Sequence, residues 1–124
     1  MKEMYKLKYH LEPISGWMND PNGFSYYNGE YHLFYQYNPY SSQWGPMHWK
    51  HIKSKDLVNW KDLDIAIAPD EEYDVSGCFS GSAIEKDGKM YLMYTGHQDP
   101  GGFENLRQVQ CIAVSEDGKN FTKY

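Results

Sequence analysis

Asn28-Gly29-Glu30-Tyr31-His32-Leu33-Phe34-Tyr35 and Asp87-Gly88-Lys89-Met90-Tyr91-Leu92-Met93-Tyr94 decide the fold. Each opens on a dipeptide whose residues tolerate positive φ, the strongest short signal for a two-residue hairpin turn. Aromatic-rich Phe24-Ser25-Tyr26-Tyr27 precedes the first turn, and Tyr31 to Tyr37 follows it. Ser82-Ala83-Ile84 precedes the second, and Met90 to Thr95 follows it. Both read as antiparallel hairpins. Val109 to Val114 reads as a further strand, closed by Asp117-Gly118. No helical period of useful length is visible.

Working outward, the two stretches are copies at a period of about 60 residues. Gly29 to Tyr35 parallels Gly88 to Tyr94, and Ser54-Lys55-Asp56-Leu57-Val58-Asn59-Trp60 parallels Ser115-Glu116-Asp117-Gly118-Lys119-Asn120-Phe121. A several-stranded unit repeated at near-constant spacing indicates stacked or radial sheets, each covering its neighbour. Propellers are built of such four-stranded blades. The chain is therefore expected to be all-β, with room for roughly two propeller blades. A small β-sandwich with similar hairpins is the alternative. Two loop-like stretches, Asn38 to Met47 and Pro69 to Gly77, separate the strands. The second holds the acidic run Asp70-Glu71-Glu72-Tyr73-Asp74, which reads as a solvated loop.

Composition narrows the function classes. The 124 residues carry a formal net charge of −5 and no Lys/Arg block, which disfavours nucleic acid and anionic membranes as partners. No apolar run approaches the roughly 20 residues of a membrane span. The aromatic fraction, 17%, suits strands and also supplies flat platforms for sugar rings. Two cysteines, Cys78 and Cys111, are too few for a disulfide framework. The charged start, Met1 to Lys8, lacks the apolar segment of a secretory signal. The expectation is a cytoplasmic protein with reduced thiols. His48 and His51, three apart, would point to opposite faces of a strand. No Cys/His cluster completes a metal site, and neither metal nor other cofactor is expected.

The chemistry concentrates at Trp17-Met18-Asn19-Asp20-Pro21-Asn22-Gly23. Pro21 fixes its own φ and biases Asp20 towards extended backbone. Asn22 and Gly23 tolerate positive φ, so a sharp turn is expected there. This would hold a carboxylate on a stiff support, as a nucleophile requires. By local chemistry alone the favoured reading is an ordinary turn, with Asp20 bonded to nearby amides.

The flanks add Gln36, Trp44-Gly45-Pro46-Met47-His48-Trp49 and Cys78-Phe79-Ser80-Gly81-Ser82-Ala83. With these the sequence resembles glycoside hydrolase family 32, the β-fructofuranosidases, from His10 to about Tyr124. The resemblance implies a five-bladed β-propeller followed by a β-sandwich, of which this chain would hold only the N-terminal part. It implies a small-molecule fructoside as substrate and Asp20 as the nucleophile of a retaining mechanism. Asn19, Gln36, Trp44, Phe79 and Ser80 become fructose-pocket residues. Asn19 and Gln36 can each donate and accept hydrogen bonds. Trp44 and Phe79 offer apolar faces, which would equally suit a propeller core. Trp17, Trp49 and Trp60 read as structural or pocket-wall residues. Tyr37 to Trp44, Gly77 to Ala83 and Arg107 to Ala113 point to the sucrose-6-phosphate hydrolase and invertase branch. Lys50 stands where relatives usually carry Gly, and would narrow the pocket, contact a phosphate or point to solvent.

A retaining glycosidase needs a second carboxyl roughly 5–5.5 Å from the nucleophile. The family carries it as Glu in a Glu-Cys motif, with a further Asp in Arg-Asp-Pro. Neither motif occurs here: Cys78 and Cys111 follow Gly77 and Gln110, and Gln108 follows Arg107. The expectation is an incomplete site, and a chain that is inactive alone.

Overall fold

The computed structural model describes residues 6–124; the charged start up to Tyr5 lies outside them. Eight strands run in order: β1 (Trp17–Tyr27), β2 (Glu30–Asn38), β3 (His48–Ser54), β4 (Lys61–Ile67), β5 (Gly77–Lys86), β6 (Lys89–Gln98), β7 (Arg107–Ser115) and β8 (Thr122–Lys123). They form two antiparallel four-stranded sheets, β1-β2-β3-β4 and β5-β6-β7-β8. These are the two blades expected from the repeat. The hairpins turn where the dipeptides place them. Asn28 and Gly29 have φ of 51° and 83°, and Asp87 and Gly88 of 52° and 76°. The outer strands β4 and β8 have no counterpart among the strands read from sequence.

The repeat extends to single hydrogen bonds. After β3, Asp56 Oδ1 accepts from the backbone N–H of Val58 and Asn59 at 2.9 and 2.7 Å, while Ser54 Oγ accepts from Leu57 N–H at 2.8 Å. After β7, Asp117 Oδ1 accepts from Lys119 and Asn120 at 2.8 Å each, and Ser115 Oγ from Gly118 at 2.8 Å. These bonds hold both exposed aspartates well below the usual carboxylate pKa, the Asn59 and Asn120 amides contributing most.

The core lies between the sheets. Tyr27, Phe34, Trp49 and Ile67 of the first blade pack on Cys78, Met90, Leu92, Tyr94, Cys111 and Ala113 of the second. Each large side chain buried this way contributes roughly 1.5–3 kcal/mol. The opposite face of the first blade gathers Tyr35, Tyr37 and Ile52 with Met18, Leu33 and Trp60.

Three expectations are corrected. Asn22-Gly23 is not a sharp turn, because β1 continues through it as one strand of 11 residues. Its positive φ, 63° at Gly23, serves a bulge instead. Gly23 and Phe24 together oppose Leu33, between the pairs Asn22↔Phe34 and Ser25↔His32. A Cβ on Gly23 would lie 2.7 Å from the Phe34 ring and 3.0 Å from the Trp49 ring.

The acidic run is not wholly solvated. Asp74 ends a short 3-10 turn, Glu72–Asp74, and is 0% exposed. Its Oδ2 accepts from the Tyr94 hydroxyl at 2.8 Å and the Lys123 ammonium at 2.6 Å, and its Oδ1 from Glu71 N–H at 3.0 Å. Burial, followed by this bond to Asp74, pushes the Tyr94 phenol well above its ordinary pKa. Burial opposes the charge on Lys123, but the Asp70 and Asp74 carboxylates outweigh it and raise its pKa.

Lys50, finally, neither enters a pocket nor points to solvent. Its Nζ donates to Asp62 at 2.9 Å and to the Leu63 carbonyl, so it is held against β4. His51 and His48 do face opposite ways. His51 meets His32 ring-nitrogen to ring-nitrogen at 2.8 Å, whereas His48 Nδ1 lies 2.9 Å from the Pro46 carbonyl.

Candidate active site

Successive strand residues point to opposite faces. A pair of neighbours can reach one pocket only where the ladder slips. β1 slips between Met18↔Tyr37 and Pro21↔Tyr35, so Asn19 and Asp20 together oppose Gln36. β5 slips between Phe79↔Thr95 and Ser82↔Met93, so Ser80 and Gly81 oppose Tyr94. A Cβ on Gly81 would lie 1.8 Å from the Met93 carbonyl oxygen, so the second slip needs glycine. The two slips lie one pair apart in the repeat, since Tyr94 is the counterpart of Tyr35, and Asn19-Asp20 and Phe79-Ser80 line one cavity of about 360 Å³. Pro21, without an N–H, fits because β1 pairs on one side only.

All six residues singled out in the sequence line this cavity: Asn19, Asp20, Gln36, Trp44, Phe79 and Ser80. Met47, Thr95 and Gln108 complete the lining. The Ser80 hydroxyl donates to Asp20 Oδ2 at 3.2 Å. Trp17 Nε1 donates to Asn19 Oδ1 at 2.9 Å, which aims the carboxamide and leaves its NH2 free. Gln36 is nearly buried, and one of its amide protons is used within the fold, donating from Nε2 to the Cys78 carbonyl at 2.9 Å. Its oxygen and second N–H remain for a ligand. Trp44 is 57% exposed on the Asn38–Met47 loop, with its ring edge-on to Phe79 at 6.4 Å. Phe79 stacks on His97 at 4.2 Å.

The first turn of β5 is fastened to the first blade by its backbone. Cys78 N–H donates to the Met47 carbonyl at 2.8 Å, and Trp49 Nε1 donates to the Phe79 carbonyl at 3.1 Å. Trp49 is thus structural, one of the two roles read for it from the sequence. The Cys78 thiol is buried, and burial raises its pKa far from the reactive range.

Sequence reading missed Met47, Thr95 and Gln108. Thr95 pairs with Phe79, a suspected site residue, which was an available signal; Gln108 pairs with His97, which nothing in the sequence singled out. Among the described residues, Asp20 is the one carboxylate in the lining, and no Lys or Arg joins it.

A family model described as the glycosyl hydrolases family 32 N-terminal domain matches residues 10–124. The chain belongs to glycoside hydrolase family 32. Among curated family members, a sucrose-6-phosphate hydrolase of Zymomonas mobilis is 51% identical over 117 residues, covering 93% of this chain and 23% of the relative. A raffinose invertase of Escherichia coli is 51% identical over 118 residues, covering 93% and 25%. The chain thus spans about a quarter of the length of the curated relatives it matches. Of solved family 32 structures, the sucrose-6-phosphate hydrolase from Lactobacillus gasseri superposes with a TM-score of 0.90 at 48% identity, over 97% of this chain and 24% of that one. A Bombyx mori β-fructofuranosidase variant in complex with sucrose gives 0.85 at 47% identity, over 94% and 24%. The two sheets are accordingly blades of the family 32 β-propeller. Among the described residues, no helix is long and apolar enough to cross a membrane.

Proposed function

We propose that the chain supplies the nucleophile-bearing portion of a β-fructofuranosidase that cleaves terminal β-D-fructofuranosides such as sucrose or sucrose 6-phosphate. The carrying observation is the convergence of Asn19-Asp20 and Phe79-Ser80, each beside a slip in its own blade, on one cavity. In this reading Asp20 attacks the anomeric carbon of the fructosyl unit as the glycosidic bond breaks, the leaving alcohol takes its proton from a general acid outside this chain, and water then hydrolyses the covalent fructosyl-enzyme. Ser80 holds Oδ2 and leaves Oδ1 for attack. Asn19 and Gln36 bind sugar hydroxyls, and Trp44 and Phe79 pack on apolar faces of the sugar. The substrate is a small carbohydrate.

The acid/base Glu and the third carboxyl would come from further blades of a five-bladed ring. Two exposed apolar sheet faces support that arrangement. Met93 and Ile84 on the second blade are 47% and 64% exposed, and Phe24 and Tyr26 on the first are 56% and 59% exposed. Met93 stands at the repeat position of Phe34, which the second blade covers. The lone carboxylate in the cavity also favours a second reading, a fructoside-binding module without turnover.

The test uses the full-length protein that carries these residues. It should release fructose from sucrose, and Asp20→Asn should abolish release while leaving the thermal transition in place. Mass spectrometry of a trapped fructosyl-enzyme should locate the sugar on Asp20. Retained turnover in Asp20→Asn removes Asp20 as nucleophile; sucrose binding without turnover in the wild type leaves the module.

A further inference from the structure

Gln108 lines the same cavity as Asp20. The strand register gives its place. Gly77, His97 and Gln108 form one row across β5, β6 and β7. Ser80, which touches Asp20, is three residues further along β5. Gln108 is therefore about 10 Å from Ser80 along the strands and, two strands over, about 10 Å across them. That is beyond a sugar ring bonded to Asp20, and where the next group of a substrate would lie.

Its side chain is already oriented. Gln108 Nε2 lies 3.3 Å from His97 Nδ1, with the amide N–H as donor and the ring nitrogen as acceptor. His97 is 7% exposed and its ring is clamped flat on Phe79, with 15° between the planes. An anchored carboxamide keeps its oxygen and second N–H for a ligand at low entropic cost. Trp44, from the first blade, lines the same cavity and offers an exposed apolar face. Among the described residues, no charged side chain other than Asp20 is in the lining. A neutral amide with both polarities, beside an indole, suits a neutral polyhydroxylated group.

Resting on the fructofuranosidase reading, we propose that Gln108, oriented by His97, is a specificity-determining residue that hydrogen-bonds hydroxyls of the leaving group, the non-fructosyl part of the substrate. Substrates whose leaving group is a sugar gain from it; a leaving group without hydroxyls gains nothing.

The test compares sucrose with methyl β-D-fructofuranoside in the full-length protein and in Gln108→Ala. Gln108 is exposed, so the fold should tolerate the change, with an unchanged thermal transition as the control. The expected result is a loss of about fivefold to tenfold in kcat/KM for sucrose, mainly through KM, the size of one neutral hydrogen bond. Methyl fructoside should change less than about twofold. An equal loss on both substrates, or no loss on sucrose, overturns the assignment. A wild type that cleaves neither substrate overturns the fructofuranosidase reading itself, and this assignment with it.

Discussion

Asp20 and Ser80, 60 residues apart, each sit at the slip in their own blade, and the Ser80 hydroxyl donates to the Asp20 carboxylate at 3.2 Å. Two unlike side chains are thus joined across the blade seam. The second blade supplies an orienting hydroxyl; the first supplies the reactive carboxylate. Ser80→Ala should therefore lower kcat of the full-length protein about tenfold, the cost of one hydrogen bond to a charged group. The thermal transition should hold, since Ser80 is only half-buried. Steady-state kinetics on sucrose decide it; an unchanged kcat means the hydroxyl does not orient the carboxylate.

The His32–His51 pair makes the first blade acid-sensitive. Burial, then the neighbouring His32 and the Lys53 and Lys50 ammonium groups, lowers the His51 pKa to about 3, and burial lowers that of His32. Glu30, salt-bridged to Lys53, is the carboxylate acting on His32. Among the described residues His51 Nδ1 has no partner, and Phe34 stacks on the ring. With the folded value depressed below the ordinary 6.5, the unfolded chain binds the proton first. Stability is then fully present above pH 6.5 and falls as pH drops from there towards about 3. The loss from His51 should be on the order of 2 kcal/mol by pH 5. Urea denaturation at pH 7 and 5 should show it, and His51→Gln should flatten that part of the slope. An unaltered slope in the variant assigns the acid sensitivity to other groups.

The two Ser-x-Asp turns differ at one backbone position. Gly118 takes φ of 72° without cost, whereas Leu57 takes 66° carrying a Cβ. A left-handed backbone costs a non-glycine residue roughly 1–2 kcal/mol, partly offset by the greater freedom of an unfolded glycine. Leu57 is 45% exposed and loses little packing on truncation. Leu57→Gly should raise stability by up to about 1 kcal/mol. Gly118→Ala should lower it, because the added Cβ would also sit 2.8 Å from the Tyr27 ring. Thermal transitions of the two variants should move in opposite directions.

The hairpins and the blade count were legible because their signals are local or periodic. Asn28-Gly29 and Asp87-Gly88 need only their own φ preferences, and the period shows in the sequence itself. The slips in β1 and β5 were not legible, since a slip is a property of two strands and β1 alone gives no sign that Asn19 and Asp20 share Gln36. Proline and glycine signals marked the right segment and suggested the wrong geometry: Gly23 bends a strand rather than ending it. Asp74 was misread because its partners, Tyr94 and Lys123, lie 20 and 49 residues onward. Gln108 escaped because nothing beside it in the chain resembles a site; it is placed by pairing with His97.

The bond between Asp74 and Lys123 also has an order in time. A ribosome makes the carboxylate first and the ammonium 49 residues later, on the outermost strand of the second blade. Until then, folding the connector against Tyr94 would bury a charge without its counter-ion, at a cost of several kcal/mol. The seam can form its hydrophobic contacts early, but Asp74 is stably sealed only when β8 emerges. The second blade is thereby closed by the last of its own four strands to be made.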